Sequence, residues 1–163
     1  MVSVRRACEG DLPAITRIYN DAIATTVATF DTCPKTAEEQ REWFASHGPR
    51  HPVLVADRDG MVIGWCSLTA WSDRCAYCDA AEASLYVDAS HQGRGVGTQL
   101  LKALIAEGRK VGLHTIIGRI TEGNEVSLRL VKAAGFDHIG TMREVGRKFG
   151  RLLDVHLVQY IYR

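Results

Sequence analysis

A glycine-rich run, Gln92-Gly93-Arg94-Gly95-Val96-Gly97-Thr98, follows the strand-like segment Ser84-Leu85-Tyr86-Val87 and precedes an amphipathic stretch. Glycines at alternate positions let successive amides converge on one anion with no Cβ in the way. A helix opening at that point adds unpaired N–H donors and the positive end of its dipole, a setting that suits a phosphate group. Arg94 brings a charged fork to the same place. The run also fits an ordinary strand-to-helix turn that holds nothing, because glycine clusters serve as punctuation. Two better-known phosphate motifs are excluded. The spacing is not G-x-G-x-x-G followed by an acidic strand end, and no Gly-Lys-Ser/Thr closes the run.

Glu82 opens the same strand. Alternation puts Glu82, Ser84 and Tyr86 on one face and Leu85 and Val87 on the other. A carboxylate on a largely apolar strand is costly unless it is solvated, paired or used, and its use would be proton removal. Five cysteines form an odd count without a secretory context, so no disulfide framework is expected. Cys75-Ala76-Tyr77-Cys78 is a lone C-x-x-C in a loop, with no second pair to complete a zinc site and no helix to open for redox chemistry. The six histidines show no ligand spacing, so no metal site is expected.

The 163-residue chain is 46% hydrophobic and 24% charged, with a formal net charge of +1. That length suits one domain spanning residues 1–163, with a core large enough to need no staples. The near-neutral charge argues against nucleic acid as a partner. No apolar run is long enough to span a bilayer, and Met1-Val2-Ser3-Val4-Arg5-Arg6 lacks a signal-like apolar core. A cytoplasmic enzyme or binding module is the expectation.

The positioning elements follow from periodicity and caps. Val2–Arg6 reads as a strand, and Asp11 as the N-cap of a helix with Pro13 in its first turn, running through about Ala22. A loop holding Thr25, Thr26, Phe30 and Pro34 leads to Thr36, which with Glu39 forms a capping box for a helix over Ala37–Ser46. Val53–Asp57 and Met61–Leu68 form a hairpin through Arg58-Asp59-Gly60. A loop from Trp71 to Cys78 precedes the strand Ala81–Val87. Leu100, Leu101, Leu104, Ile105 and Val111 mark the apolar face of a helix over Gly97–Val111. His114–Thr121 is apolar enough to be a central strand. Asn124 caps a helix that runs to Ala134 and stops at Gly135, and strands Asp137–Val145 and Leu152–Tyr160 flank a loop over Gly146–Gly150. The order βααβββαβαββ predicts an α/β (α+β) fold: a mixed sheet with helices on its faces.

These segments together resemble the GNAT superfamily of acetyl-CoA-dependent N-acetyltransferases, through Gln92-Gly93-Arg94-Gly95-Val96-Gly97. More narrowly they are similar to the phosphinothricin / methionine-sulfone acetyltransferase family. Ile18-Tyr19-Asn20 with Thr25-Thr26, Glu82-x-Ser84-Leu85-Tyr86-Val87 and Asn124-x-x-Ser127-x-x-Leu130 before Gly135-Phe136 carry that likeness. So does Gly146-Arg147-Lys148-Phe149-Gly150-Arg151-Leu152-Leu153-Asp154. The resemblance implies a GNAT fold of about seven strands and four helices. It implies acetyl-CoA as acyl donor, held at its diphosphate by Gln92 to Thr98 and along its pantetheine by the main chain of Leu85, Tyr86 and Val87. Asn124, with Ser127, would both cap its helix and bond the donor; Glu82 would be the general base.

Phe30 and Trp71 are implied as walls of an acceptor pocket, with Arg74 and Tyr77 beside it and Arg147 and Lys148 meeting an anionic substrate from the hairpin. A small-molecule amine partner, an amino acid or amino-acid analogue, and a homodimer are implied as well. Two positions depart from the family. Val131 stands where the family usually has a histidine or tyrosine, a candidate acid for the leaving thiolate. Tyr77-Cys78-Asp79-Ala80 replaces its Tyr-Arg-x-Thr, which argues against phosphinothricin as the preferred acceptor. A non-catalytic acyl-CoA-binding module and a protein N-terminal or lysine acetyltransferase are the alternative readings.

Overall fold

The computed structural model describes residues 1–163. It has seven strands: β1 (Val2–Arg6), β2 (Val53–Arg58), β3 (Met61–Ala70), β4 (Ala80–Val87), β5 (Thr115–Thr121), β6 (Asp137–Lys148) and β7 (Arg151–Ile161). The helices are α1 (Leu12–Thr25), α2 (Ala37–Ala45), α3 (Val96–Lys110) and α4 (Glu125–Ala133). All strands join one sheet in the order β1-β2-β3-β4-β5-β7-β6. Every pairing is antiparallel except β4 with β5. This is the mixed sheet that the element order predicts, with β5 near its centre. No helix is long and apolar enough to cross a membrane.

Two cores cover the two faces. Leu100, Leu101 and Leu104 of α3 pack with Ile63, Cys66, Leu68 and Ile116 on one side. Leu12, Ile15 and Ile18 of α1 pack with Val55, Val62 and Trp65 on the other. A strand covered on both faces must be apolar throughout, and β3 is buried continuously from Val62 to Leu68.

Three local expectations are corrected. Asp11 does occupy the N-cap position of α1, but its side chain makes no cap hydrogen bond there. It ends a short 3₁₀ turn (Glu9–Asp11), where its carboxylate accepts the Cys8 amide at 2.8 Å and both terminal nitrogens of Arg5 at 2.8 and 2.9 Å. The charged Arg5 fork outcompetes the helix amides for that carboxylate. Second, Gly146-Arg147-Lys148-Phe149-Gly150 is not a loop. β6 runs through Lys148, and only Phe149 (φ 51°) and Gly150 (φ 74°) make the turn. The extra length is accommodated by an irregularity between Met142 and Gly146, where Glu144 takes φ 48° and its amide donates to Asp154 at 2.7 Å. Third, α3 begins at Val96 with Gly95 as its N-cap, and β3 extends two residues past Leu68.

Asp11 supplies the first test. Its carboxylate is held below the usual range by the Arg5 hydrogen bonds, so its stabilisation is complete above the unfolded carboxylate value of about 3.9 and fades as pH falls toward the lowered native value. Asp11→Ala should cost about 2 kcal/mol in urea unfolding at neutral pH, and the difference from wild type should shrink with acidification. Equal stability at neutral pH would refute the assignment.

Candidate active site

The parallel seam between β4 and β5 is short. Ala80, Ala81 and Glu82 align with Thr115, Ile116 and Ile117, and then the strands part. β4 continues along β3 to Val87 while β5 continues along β7 to Thr121. A cleft of about 750 Å³ lies in this opening. Its floor includes Leu85, Ile120, Leu130 and Val131, and Glu82 and Arg119 stand on its facing strands.

The phase of the β3–β4 ladder decides which β4 groups face the cleft. Trp71 donates to the Ala80 carbonyl and Asp88 donates to the Ile63 carbonyl. Antiparallel pairs alternate between bonded and non-bonded, so Glu82, Ser84 and Tyr86 spend their main-chain groups on β3. Leu85 and Val87 turn theirs outward. Tyr86 is therefore not a main-chain partner for a bound arm, contrary to expectation, and the alternating pair Leu85 and Val87 is what an extended ligand would meet. The Val87 carbonyl already accepts Nε2 of Gln92 at 3.1 Å, which ties the glycine turn to the strand end.

The turn leaves its main-chain donors unspent. Gly93 (φ 72°) and Gly95 (φ 81°) adopt the left-handed region, and a Cβ at either would meet no atom within 4 Å. The amides from Gly93 to Thr98 donate to no acceptor within the protein. A run of free donors at a helix start fits a diphosphate. The three glycines are not equivalent, however. Gly97 has ordinary helical φ, and a Cβ there would make only ordinary contact with Leu130 at 3.4 Å. Val96 faces the core and contributes only its amide. Asp88 braces the approach. It accepts Ser90 Nα at 3.0 Å and Ser90 Oγ at 2.6 Å, and pairs with Arg17 at 2.8 Å. The Ser90 hydroxyl and Arg17 hold its carboxyl well below the usual range.

Asn124 caps α4, its side-chain oxygen accepting the Ser127 amide at 3.3 Å. Both residues line the cleft, and the Asn124 NH₂ is left free to donate there. Val131 lines it too, so the departure from the family lies inside the site.

Glu82 is half-buried in the cleft wall. Burial pushes its carboxyl up, and the Arg119 guanidinium opposes that rise. Arg119 Nε lies 3.3 Å from Glu82 Oε2, and its guanidinium stacks over Trp71 at 4.9 Å. Trp71 thus supports the cleft from behind Arg119 and does not line it. Arg74 and Tyr77 are exposed on the turn before β4, outside the lining, and Arg147 is exposed on β6. Lys148 is buried, and its Nζ donates to the Thr29 carbonyl at 2.8 Å. It anchors the loop between α1 and α2 instead of standing free at a hairpin tip.

That loop forms the other wall. Asn20 clamps it by accepting the Lys35 amide at 2.8 Å and donating to the Lys35 carbonyl at 3.0 Å. Phe30 lies in the cleft lining, its ring so close to Gly146 that a Cβ there would stand 2.1 Å away. Tyr19 bonds Thr29 Oγ1 at 2.9 Å and the Asp31 carboxylate. Tyr19 and Tyr86 meet edge to face, and burial pushes the Tyr86 phenol up to about 12. Nothing in the sequence pattern singled out Asp31 or Arg119. Both are charged residues of common type, and only the fold brings them to Glu82's cleft.

The matching family model is the acetyltransferase (GNAT) family, over residues 15–136. The chain belongs to that family and is an acetyl-CoA-dependent acetyltransferase. It is 39% identical over 158 residues to a phosphinothricin N-acetyltransferase of Streptomyces coelicolor, covering 94% of this chain and 92% of that one. It is also 39% identical over 159 residues to an L-methionine sulfoximine/L-methionine sulfone acetyltransferase of Pseudomonas aeruginosa, covering 96% and 92%. A phosphinothricin acetyltransferase from Sinorhizobium meliloti, solved in complex with AcCoA, superposes with a TM-score of 0.95 at 33% identity, covering 98% of this chain and 88% of that one.

The donor cradle is tested at Gly95. Valine there would have to hold φ 81°, which is strained for a β-branched residue, so the turn should reshape and the Kd for acetyl-CoA should rise about tenfold or more in calorimetry. An unchanged Kd would show that the turn does not hold the diphosphate.

Proposed function

We propose that this acetyltransferase acts on the primary amine of a small molecule, an amino acid or amino-acid analogue, with Glu82 as general base. The observation that carries the reading is the position of the Glu82 carboxyl, half-buried in the wall of the cleft where β4 and β5 part. Acetyl-CoA supplies an activated acetyl group when bound. Gly93 to Thr98 would hold its diphosphate and Leu85 and Val87 its extended arm. Glu82 takes a proton from the amine, directly or through one water, so that the nitrogen lone pair can form the C–N bond while the C–S bond breaks. Val131 has no proton to give, so the departing thiolate takes its proton from solvent.

The acceptor side suits a small ligand. Phe30, Tyr19 and the loop clamped by Asn20 close one end of the cleft, which favours a compact molecule over a protein segment. Relatives named for phosphinothricin and methionine sulfone support an amino-acid analogue. Homodimerisation belongs to the same reading. Ile139 and Val145 of β6, Phe149 of the turn and Leu152 of β7 are exposed apolar side chains along the β6–β7 hairpin, the kind of surface that a second copy covers.

Glu82→Gln should lower kcat by about 10²- to 10⁴-fold while the Kd for acetyl-CoA stays near wild type. Because burial raises the Glu82 pKa, its basic form is lost as pH falls through a value above the ordinary carboxylate range. The wild-type kcat/KM should therefore drop on the acid side at that point, and the variant should lack this limb. Retention of full kcat would refute the role. Sedimentation of wild type as a dimer, and of Leu152→Glu as a monomer, is the result expected for the apolar row; a monomeric wild type would remove it.

A further inference from the structure

We propose that Glu82 and Arg119 together form a receptor for the α-ammonium and α-carboxylate of a free amino acid, with Arg119 as the residue that selects the carboxylate. This rests on the reading of Glu82 as base to the acceptor amine and names the group that orients that amine. The two side chains come from strands on opposite sides of the opening: Glu82 from the end of the β4–β5 seam, and Arg119 two residues beyond Ile117, where β5 has left β4. Both line the cleft.

The guanidinium is held at two places. Its Nε faces Glu82 Oε2 at 3.3 Å, and its plane lies over the Trp71 ring at 4.9 Å. Its terminal nitrogens donate to no acceptor in the protein, and half of the side chain is accessible. A guanidinium that lines a cleft with its terminal nitrogens unspent is suited to bidentate capture of a carboxylate. An α-amino acid carries its amine and its carboxylate on one carbon. The same adjacency holds between Glu82 and Arg119. Binding would exchange one protein ion pair for two crossed pairs with the ligand, leaving no charge in the cleft wall without a partner. The amine then lies against the carboxylate that deprotonates it.

The rest of the cleft offers no rival cation. Lys148 is buried and spent on the Thr29 carbonyl, Arg147 points outside, and Arg74 lies beyond the lining. Lys35 is 3.7 Å from Asp31 and pairs with it. Arg119 is thus the side chain that distinguishes an amino acid from a plain amine.

The test compares free α-amino acids, including methionine sulfone and phosphinothricin, with their methyl esters at saturating acetyl-CoA. Thiol release is followed for wild type, Arg119→Met, Arg119→Lys and Glu82→Gln. The variant-to-wild-type ratio cancels the lower basicity of the ester amine. Arg119→Met should lose about tenfold to a hundredfold more kcat/KM on acids than on esters, mainly through KM, and Arg119→Lys should recover part of it. Equal losses on acids and esters would reduce Arg119 to a support for Glu82 and overturn the proposal. So would turnover of amines without any turnover of carboxylate-bearing ones. Failure of the Glu82 reading is separate: it would show as full kcat in Glu82→Gln, whatever the acid-to-ester ratio.

Discussion

The early end of the β4–β5 seam is the constraint on which the site depends. Two antiparallel ribbons, β1 to β4 and β5 with β7 and β6, are joined by three aligned residue pairs. Each ribbon is paired along its full length on its own side, so neither can follow the other past Glu82. An unpaired strand edge inside a protein carries a cost in unsatisfied main-chain groups unless something meets them. Here the side facing the cleft is partly met by Gln92, and the remainder is an extended, ready-aligned set of donors and acceptors. The apolar residues of α3 and α4 pack beneath it and hold the gap open.

The same geometry explains the state of Glu82. A carboxylate at the mouth of such a gap is screened from water by both ribbons, which raises its pKa, while the Arg119 guanidinium beside it opposes that rise. Burial alone would give an acid, and a tight buried pair would give a carboxylate too weakly basic to use. The partial exposure of both groups, 26% for Glu82 and 50% for Arg119, lets the balance be reset by whatever enters the cleft. On the opposite wall the charges are already spent. Lys148 bonds the Thr29 carbonyl, Tyr19 the Asp31 carboxylate and Lys35 pairs with Asp31, so these groups shape the pocket more than they read its contents.

What was legible in the sequence was what local rules write. The Thr36–Glu39 capping box, the Asp59-Gly60 hairpin, the Asn124 cap and the α3 apolar face are set by neighbours in the chain, and each stands where its pattern put it. Asp11 stands at the N-cap as its pattern implies, but its carboxylate is taken by Arg5, which reaches it only after β1 packs beside the 3₁₀ turn. The β6–β7 connection was misread because its glycines look like a loop. Gly146 instead lies on β6 under the Phe30 ring of a distant segment. Tyr86 and Leu85 look alike as strand residues, and only the hydrogen-bond phase set by Ile63 and Ala80 separates them. Arg119 had no pattern at all, since its meaning comes from strands that meet only in the fold.

The two ends of the cleft therefore differ in how they are encoded. On the proposed reading the donor end is made of main-chain amides and one strand edge, so it needs little beyond glycine at positions 93 and 95 and a helix that starts on time. Any sequence that keeps that backbone keeps the cradle. The acceptor end is made of side chains from α1, β4, β5 and the clamped loop, and each can change without disturbing the donor. Strong likeness at the glycine turn thus fixes the acyl donor and leaves the amine open. The groups on the acceptor side are the ones with least motif: Arg119 and Asp31 line the cleft, with Tyr19, from three separate segments that meet only in the fold.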